Sequence, residues 1–305
     1  MKITVIGAGN VGAMTAMRLL ESGLCNVVLL DVVEGLAKGK AEDLMDAASV
    51  IGHGKNIIGS EDFSLMRDSC IVIIAAGLAR KPGMTREDLL MKNAAIIKSV
   101  SEKIAKHVPD SIIINVTNPL DAMTYVAYKA SGFNPKKVMG MAGLLDSSRM
   151  NLLTSRILNK ELFHINSTVM GTHGETMVPL LSHCKIENAP VNSISDDNKL
   201  NDIVEKTKKR GAEIVSYLKT GSAFFAPSAC AAKMAELIIK DSDDALTVSC
   251  FLKGEYGLED IFLGVPAVLG KNGVEKIIEI ELNDNEKEAL KKAADSVKNA
   301  IKKVT

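Results

Sequence analysis

The sequence predicts an α/β fold in which a doubly wound parallel sheet is followed by an α+β domain. In the first half of the chain, short runs rich in Val and Ile alternate with segments whose apolar residues recur at helical spacing. This alternation is typical of right-handed βαβ crossovers and of a parallel sheet covered by helices on both faces. After about residue 145, longer helical segments are separated by stretches of alternating polarity, which indicates a second domain.

Five short apolar runs are predicted to form the parallel strands. Each run is continuous and not alternating in polarity, which favours strands buried on both faces of a sheet. Helical spacing fills two of the intervals between the runs, over residues 10–22 and 85–107. The predicted strands are KITVIG (2–7), NVVLLD (26–31), CIVIIAAG (70–77), SIIINVTN (111–118) and VMGMAG (138–143).

The second half of the chain predicts an α+β arrangement. A final amphipathic helix rich in Lys and Glu is expected from about 284 to 303, with Asn283 or Asp284 as its N-cap. No low-complexity linker separates the halves, so we expect two closely packed domains, residues 1–144 and residues 145–305. The other predicted helices lie at 146–160, 201–219 and 226–240, and alternating segments lie near 163–171 and 183–191.

The composition is that of an ordinary globular protein and argues against several classes of function. The 305 residues are 47% apolar and 24% charged, and 37 basic side chains balance 37 acidic ones. A net charge of zero gives no support for nucleic acid or an acidic membrane as a partner. No apolar run reaches the ~18 residues of a spanning helix, and early glycines interrupt the first apolar stretch too soon for a signal peptide.

The cysteines and histidines suggest neither disulfides nor a metal centre. Five cysteines are scattered along the chain without a Cys-x-x-Cys pair, which favours reduced thiols of an intracellular protein. No His-x-x-x-His pair or carboxylate cluster appears, so we expect no bound metal. A cytoplasmic location is the simplest expectation.

The first strand leads into GAGNVG, a Gly-x-Gly-x-x-Gly motif that opens a helix. Asp31 ends the second strand 19 residues after the motif, which is the context of a Rossmann-type dinucleotide-binding domain. Glycines let a pyrophosphate approach the free N–H groups of a helix N-terminus, and Asp31 would bind ribose hydroxyls and repel a 2′-phosphate, which favours NAD over NADP. A purely structural turn is the alternative. The predicted cofactor contacts are Gly7, Ala8, Gly9, Asn10, Val11, Gly12 and Asp31.

Three later motifs carry polar side chains that suggest a reaction site. Asn118 ends a strand, where open α/β sheets bind ligands; a simple Asn-Pro turn is the alternative. Asp146 and Arg149 lie three residues apart at a helix start, and a local ion pair would also explain them. His173 lies between glycines in MGTHGETMVP (170–179), where few side chains pack, so core filling explains it poorly.

These residue types meet the needs of hydride transfer to or from a nicotinamide. The alcohol or carbonyl that reacts needs a proton acceptor or donor, and histidine titrates near neutral pH. A carboxylate such as Asp146 would fix the tautomer of His173 and stabilise the imidazolium. The guanidinium of Arg149 would bind a carboxylate through two charge-assisted hydrogen bonds.

Nine motifs spread over nearly the whole chain carry a resemblance to a known family. They are ITVIGAGNVG, VVLLDVVEG, ARKPGMTREDLL, NVTNPLDAMTY, GMAGLLDSSR, GTHGETMVPL, GSAFFAPSA, GEYGLEDIFLGVPAVLG and GVEKIIEIELND. By these motifs the chain resembles the lactate/malate dehydrogenase family, and within it the malate dehydrogenases of lactate-dehydrogenase-like type. The resemblance implies reversible hydride transfer between (S)-malate/oxaloacetate and NAD, a reaction of the tricarboxylic acid cycle.

The resemblance also implies a role for each candidate residue. His173 is expected to be the proton donor and acceptor, with Asp146 as its partner. Arg149 is expected to bind the substrate's C1 carboxylate, and Arg86 to polarise the reacting carbonyl. Asn118 is expected to hydrogen-bond that carbonyl, and the peptide bond that follows it to be cis. Further cofactor contacts are expected at Asn93, Val116, Thr117 and Asn118.

Arg80 bears on the choice of substrate. By the resemblance it stands where lactate dehydrogenases carry an uncharged Gln. A second substrate carboxylate would neutralise it, whereas pyruvate would leave a desolvated cation unpaired at a cost of about 1–3 kcal/mol. We therefore expect malate and oxaloacetate as substrates. A lactate or broad 2-hydroxyacid dehydrogenase is the alternative within enzymes, and a non-catalytic NAD-binding sensor is the alternative outside them.

A contact between subunits is also expected. The segment 39–52 places Leu44, Ala47, Ala48 and Ile51 on one helical face. This face either covers its own core, which is the commoner case, or packs against a second subunit. The resemblance implies a homodimer or a homotetramer.

Overall fold

The five apolar runs form parallel strands, and one further strand extends their sheet. A computed structural model describes residues 1–78 and 84–304. The strands are β1 (Lys2–Ile6), β2 (Asn26–Leu30), β3 (Ile57–Ser60), β4 (Ile71–Ile74), β5 (Ile112–Asn115) and β6 (Val138–Gly140). Their order is β3–β2–β1–β4–β5–β6, all parallel. The predicted doubly wound sheet is therefore confirmed.

Burial explains why these runs are continuous and not alternating. Every residue of β4 and β5 is buried, so protein covers both faces of the sheet at its centre. The four-residue strand β3 was not predicted, because only its first residue, Ile57, is buried and the segment shows no apolar run.

Helices connect the parallel strands. The two predicted helices, 10–22 and 85–107, are confirmed to within one residue at each end, and the second begins after a capping box formed by Thr85 and Asp88. The helices of the first half are α1 (Asn10–Glu21), α2 (Leu36–Asp46), α3 (Ala48–Ile51), α4 (Arg86–His107) and α5 (Leu120–Ser131).

The apolar face expected over 39–52 does not lie on one continuous helix. The chain breaks at Ala47, between α2 and the short α3. The first three residues of that face, beginning with Leu44, are half-buried, whereas Ile51 is 49% exposed and the neighbouring Val50 is 87% exposed. The face therefore covers its own core at one end and presents apolar surface at the other.

The second half adds helices and an antiparallel extension of the sheet. Its helices are α6 (Gly143–Leu158), α7 (Asp197–Leu218), α8 (Phe225–Lys240) and α9 (Asp284–Ile301). Its strands are β7 (Ile165–Gly171), β8 (Met177–Ile186), β9 (Ala189–Pro190), β10 (Ala245–Lys253), β11 (Glu259–Gly270) and β12 (Gly273–Ile277).

The second half contains a hairpin and three strands that were not predicted, and it settles which residue is the N-cap of α9. The alternating segment near 183–191 is a hairpin, because Glu187 and Asn188 adopt φ of 50° and 71° and turn β8 into β9. Strands β10 to β12 were not predicted. Asn283 is the N-cap of α9, where it forms a capping box with Glu286.

The two parts of the sheet meet at β6 and β10. Ser249 of β10 pairs with Gly140 of β6, and a Cβ on Gly140 would lie 3.0 Å from the Ser249 Cβ. Beside this junction, Tyr128 of α5 packs against Phe251 of β10 and Phe262 of β11, with ring centroids 5.1 and 5.7 Å apart. The junction therefore holds α5 in a fixed position relative to both halves.

Two further observations bear on the expected class of protein. In the described ranges, none of the helices combines the length and apolar character needed to cross a membrane. Across residues 1–78 and 84–304, no three His, Cys, Asp or Glu side chains are grouped as metal ligands would be.

The close packing of β3 on α2 makes a testable prediction about stability. A Cβ on Gly59 would lie 2.0 Å from the carbonyl oxygen of Ala37, whereas a Cβ on Gly39, on the exposed side of α2, would meet no atom within 4 Å. We expect Gly59→Ala to lower the free energy of unfolding by about 1–3 kcal/mol, and Gly39→Ala to raise it by roughly 0.5–1 kcal/mol. Urea denaturation of both variants tests this, and equal effects would contradict it.

Candidate active site

The glycine motif joins β1 to α1, and its three glycines are required for different reasons. Gly7 has φ of 103°, and a Cβ there would lie 2.6 Å from the amide nitrogen of Ala76. A Cβ on Gly12 would lie 1.8 Å from the carbonyl oxygen of Gly7. A Cβ on Gly9, by contrast, would meet no protein atom within 4 Å. The fold therefore requires the first and last glycines, while the middle one leaves open space beside the loop.

The open space lies at a helix end that is suited to an anion. Gly9 is the N-cap of α1, and no side chain caps this end by a hydrogen bond. The unpaired N–H groups and the helix dipole of such an end favour a negatively charged group. Of the other predicted contacts in the loop, Asn10 is exposed and Val11 is half-buried.

Two side chains of opposite charge hold Ala8 in the middle of the loop. Asp31 Oδ2 accepts a hydrogen bond from the Ala8 N–H at 2.6 Å, and Asp31 Oδ1 accepts one from the Val33 N–H at 3.0 Å. Lys40 of α2 donates to the Ala8 carbonyl at 2.7 Å. Asp31 thus lies beside the loop, as predicted. Lys40 was not predicted, because nothing in the sequence distinguishes it from the many other lysines.

Asn93, Val116 and Thr117 lie where the loops after β4 and β5 meet. Asn93 is 1% exposed; its Oδ1 accepts from the Leu78 N–H at 2.8 Å and its Nδ2 donates to the Asn118 carbonyl at 2.7 Å. Thr117 Oγ1 donates to a backbone carbonyl of the loop after β4 at 2.7 Å, and Val116 is 9% exposed. These residues fix the loops relative to each other.

Asn118 follows these residues at the carboxyl end of β5. Its side chain is exposed, and its peptide bond to Pro119 is cis, as the resemblance implied. Because parallel strands share one carboxyl edge, Asn118, Asp31 and the glycine loop all lie along the same edge of the sheet.

His173 and Asp146 meet although 27 positions separate them. His173 lies in the turn between β7 and β8, and its Nδ1 is 2.8 Å from Asp146 Oδ2 on the first turn of α6. Arg149 Nη1 donates to the other Asp146 oxygen at 3.2 Å. The Asp146 side chain is 1% exposed, against 14% for His173 and 11% for Arg149. The local ion pair therefore exists, but it is part of a larger buried cluster.

The environment of His173 raises its pKa. Burial by itself would lower the pKa, but the negative charge of Asp146 and its hydrogen bond to Nδ1 outweigh burial and the opposing charge of Arg149. Because Asp146 accepts from Nδ1–H, the proton of the neutral ring resides on Nδ1 and Nε2 is left as the acceptor. The cluster thus presents one histidine nitrogen for proton exchange.

Arg149 has one nitrogen without a partner. Its Nε is buried, and among the described residues no hydrogen-bond acceptor reaches it. A buried donor without an acceptor is costly, so a nearby anionic group would stabilise the guanidinium of Arg149.

A second buried carboxylate, which was not predicted, contacts the backbone of His173. Asp121 is 4% exposed and lies on the first turn of α5. Its Oδ2 accepts from the His173 N–H at 3.1 Å, and its Oδ1 accepts from the Ser249 hydroxyl at 2.7 Å. Burial raises the pKa of Asp121 to about 6, although both hydrogen bonds oppose the rise. The sequence signal was the NPLD motif, whose acid resembles an ordinary first-turn residue of a helix.

Arg86 is the first residue of α4 and reaches the turn that carries His173. Its Nη2 lies 2.5 Å from Oε1 of Glu175, two residues beyond His173. Both side chains are about three-quarters exposed, 74% and 76%, so the pair contributes little to stability and can exchange partners. Arg80 lies outside the described residues.

The sequence of the chain matches two family models and is similar to that of known enzymes. A model described as lactate/malate dehydrogenase, NAD binding domain, matches residues 1–140. A second model, lactate/malate dehydrogenase, alpha/beta C-terminal domain, matches residues 144–305. The malate dehydrogenase of Methanosarcina barkeri is 48% identical over 300 residues, 98% of either chain.

Solved structures of the same kind superpose over nearly the full length. The malate dehydrogenase from Salinibacter ruber is 43% identical, with a TM-score of 0.95 over 100% of this chain and 97% of that one. The lactate dehydrogenase from Cryptosporidium parvum, complexed with lactic acid and nicotinamide adenine dinucleotide, is 36% identical, with a TM-score of 0.96 over 99% of this chain and 97% of that one.

The geometry of the cluster predicts how Asp146 controls His173. We expect Asp146→Asn to lower the pKa of His173, because only the weaker effect of Asp121 would then oppose burial and the charge of Arg149. NMR titration of the ring signals, assigned with a His173→Asn variant, measures the change. Glu187→Gln is the matched control, because Glu187 pairs with a different and exposed histidine, His164. An unchanged His173 titration in Asp146→Asn would contradict the prediction.

Proposed function

The chain belongs to the lactate/malate dehydrogenase family, and on that premise we propose that it is an NAD-dependent enzyme that oxidises (S)-malate to oxaloacetate reversibly. The observation that carries the proposal is the buried cluster in which Asp146 binds both His173 and Arg149. It supplies a base, the residue that orients the base, and a cation for a substrate carboxylate. A fold alone would not justify a reaction, but this combination matches one.

His173 is proposed to move the proton. In malate oxidation, Nε2 accepts the proton of the C2 hydroxyl while the hydrogen on C2 leaves with both bonding electrons. NAD, when bound, supplies the acceptor for that hydride. Asp146 keeps the neutral ring in the Nδ1–H tautomer and stabilises the imidazolium once it forms. Since the base must be neutral, oxidation increases as the pH rises through the pKa of His173, and oxaloacetate reduction decreases over the same range.

Three residues are proposed to hold the substrate beside His173. Arg149 would bind the C1 carboxylate, which is supported by its buried Nε that lacks an acceptor. Arg86 would polarise the reacting carbonyl, and its exposed pairing with Glu175 leaves it free to change partners. Asn118 would hydrogen-bond the same carbonyl from the carboxyl end of β5.

The N-terminal half has features that suit NAD. The space at Gly9 and the uncapped N-terminus of α1 would accept the pyrophosphate. Asp31 would bind the ribose hydroxyls, while the exposed Val32 and Val33 that follow offer no cation for a 2′-phosphate. We propose residues 1–144 as the cofactor domain and 145–305 as the substrate domain. The other proposed contacts are Gly7, Ala8, Asn10, Val11, Gly12, Asn93, Val116, Thr117 and Asn118.

Assembly and location are proposed from the exposed apolar side chains and from the cysteines. Exposed apolar side chains at Val50 and Tyr217, 87% and 70% exposed, would be covered in a homodimer or homotetramer. A cytoplasmic enzyme accords with the scattered cysteines, four of which are buried as free thiols.

Measuring NADH oxidation by absorbance tests the proposed reaction. We expect turnover with oxaloacetate, and we expect His173→Asn to lower kcat by at least ~100-fold, the usual contribution of a general acid–base residue. NADH binding, followed by fluorescence, should be retained. His164→Asn is the control, because this histidine is half-exposed and pairs only with Glu187 among the described residues.

Two outcomes of this assay would contradict the proposal in different ways. Absence of turnover with oxaloacetate, pyruvate and other 2-oxo acids, with NADH still bound, would favour the NAD-binding sensor. Undiminished turnover in His173→Asn would refute the role of the histidine but not the reaction.

Replacing Arg80 tests the choice of substrate. We expect Arg80→Gln to lower the ratio of kcat/KM for oxaloacetate to kcat/KM for pyruvate by roughly 10–150-fold, because the second substrate carboxylate loses its partner. Lys81→Gln is the matched control, since it removes a neighbouring charge to which no role is assigned. An unchanged ratio in Arg80→Gln would favour a lactate or broad 2-hydroxyacid dehydrogenase.

A further inference from the structure

We propose that Asp121 is a positioning residue for His173, which it serves both by holding the backbone of the histidine and by balancing the charge of its protonated ring. The proposal rests on the proposed role of His173 in proton transfer. Its two parts, a hydrogen bond and a charge, can be separated by experiment.

Asp121 and Asp146 form hydrogen bonds to different parts of His173. Asp146 bonds the ring at Nδ1, whereas Asp121 bonds the backbone N–H at 3.1 Å. The two carboxylates come from the first turns of successive helices, α5 and α6. Ring orientation and backbone position are therefore fixed independently.

Asp121 is a buried acid without a basic partner. Its two hydrogen-bond donors, the Ser249 hydroxyl and the His173 backbone amide, are both neutral. Among the described residues, no lysine or arginine forms an ion pair with it. An isolated buried carboxylate is costly, so a cation nearby is needed to offset the cost. The protonated ring of His173 is that cation.

A second carboxylate is needed to balance the charge of the buried cluster when His173 is protonated. With His173 neutral, the cluster holds the carboxylates of Asp121 and Asp146 and the guanidinium of Arg149, which leaves one negative charge in excess. Protonation of His173 makes the buried cluster neutral. Without Asp121, the guanidinium of Arg149 would already balance Asp146, and the imidazolium would add an uncompensated buried charge.

Among residues 1–78 and 84–304, the titratable and charged groups that face His173 come from four helices and from its own turn. Helix α6 contributes Asp146 and Arg149, α5 contributes Asp121, and the exposed Glu175 on the histidine's own turn is paired with Arg86 of α4. From α8, Cys230 faces Asp146 and Arg149, but burial raises the pKa of this thiol to about 12 and it stays neutral.

Asp121→Asn removes the charge and can keep the hydrogen bonds. The amide oxygen can accept from the His173 N–H, and the amide nitrogen can donate to the Ser249 hydroxyl. We expect the variant to bind NADH as the unsubstituted protein does. Its profile of kcat/KM for malate oxidation should shift to lower pH, and oxaloacetate reduction at alkaline pH should fall roughly tenfold.

Ser249→Ala separates the charge from a merely structural role. It deletes a hydrogen bond that lowers the pKa of Asp121, so this pKa rises above its value of about 6, but the carboxylate keeps its charge at alkaline pH. We expect the alkaline part of the pH profile to stay in place in Ser249→Ala and to move in Asp121→Asn. Equal shifts in both variants would mean that Asp121 acts only through packing, which would overturn the proposal.

NMR titration makes the test independent of activity and of the variants. If the protein turned over no 2-oxo acid, the proposed function would fail, but the ring titration of His173 should still move to lower pH in Asp121→Asn. In the unsubstituted protein, the backbone amide proton of His173 should shift when Asp121 becomes protonated at acidic pH, because Asp121 accepts its hydrogen bond. An amide signal that stays unchanged throughout the acidic range would overturn the proposal even if Asp121→Asn failed to fold.

Discussion

The buried carboxylate of Asp146 is the interaction on which the rest of the candidate site depends. A carboxylate that is 1% exposed must be compensated, and it is compensated by Arg149 on one oxygen and His173 on the other. The same two bonds fix the ring tautomer and leave Nε of Arg149 without an acceptor. One negative charge therefore determines both where a proton is exchanged and where an anionic substrate group would be stabilised.

The junction between the parallel and antiparallel parts of the sheet holds this site together. Ser249 pairs with Gly140 at the junction, and its hydroxyl also donates to Asp121, which in turn accepts from the His173 backbone. The strand pairing and two hydrogen bonds thus connect the junction of the sheet to the histidine. Asp146 follows β6 in the parallel part, whereas His173 lies between β7 and β8 in the antiparallel part. A change in the relative position of the two parts would therefore move His173 relative to Asp146. The precision of the site is a property of the sheet and not of the loops alone.

The elements and site residues that could be predicted from the sequence are those that leave a pattern in their own segment of the chain. The parallel strands were predictable because two-sided burial makes their apolar runs continuous, and α4 because its apolar residues recur at helical spacing. Strands β10 to β12 were missed although they form consecutive hairpins, since a register shift interrupts each pairing and no local pattern reveals it. His173 and Asp146 could be named as a pair only through chemistry and resemblance. Asp121 could not be named, because its two donors come from far along the chain.

The glycine motif alone supports dinucleotide binding less well than its structural context does. Gly7 and Gly12 are required by the backbone alone, since a Cβ at either position would meet main-chain atoms. A chain that bound nothing would therefore still need two of the three glycines to pack this strand against this helix. Of the three glycines, only Gly9 leaves space that the protein does not fill, and Asp31 holds the amide of the neighbouring Ala8. The case for a dinucleotide thus rests on the middle glycine and on an acid at the end of the next strand, and not on the number of glycines in the motif.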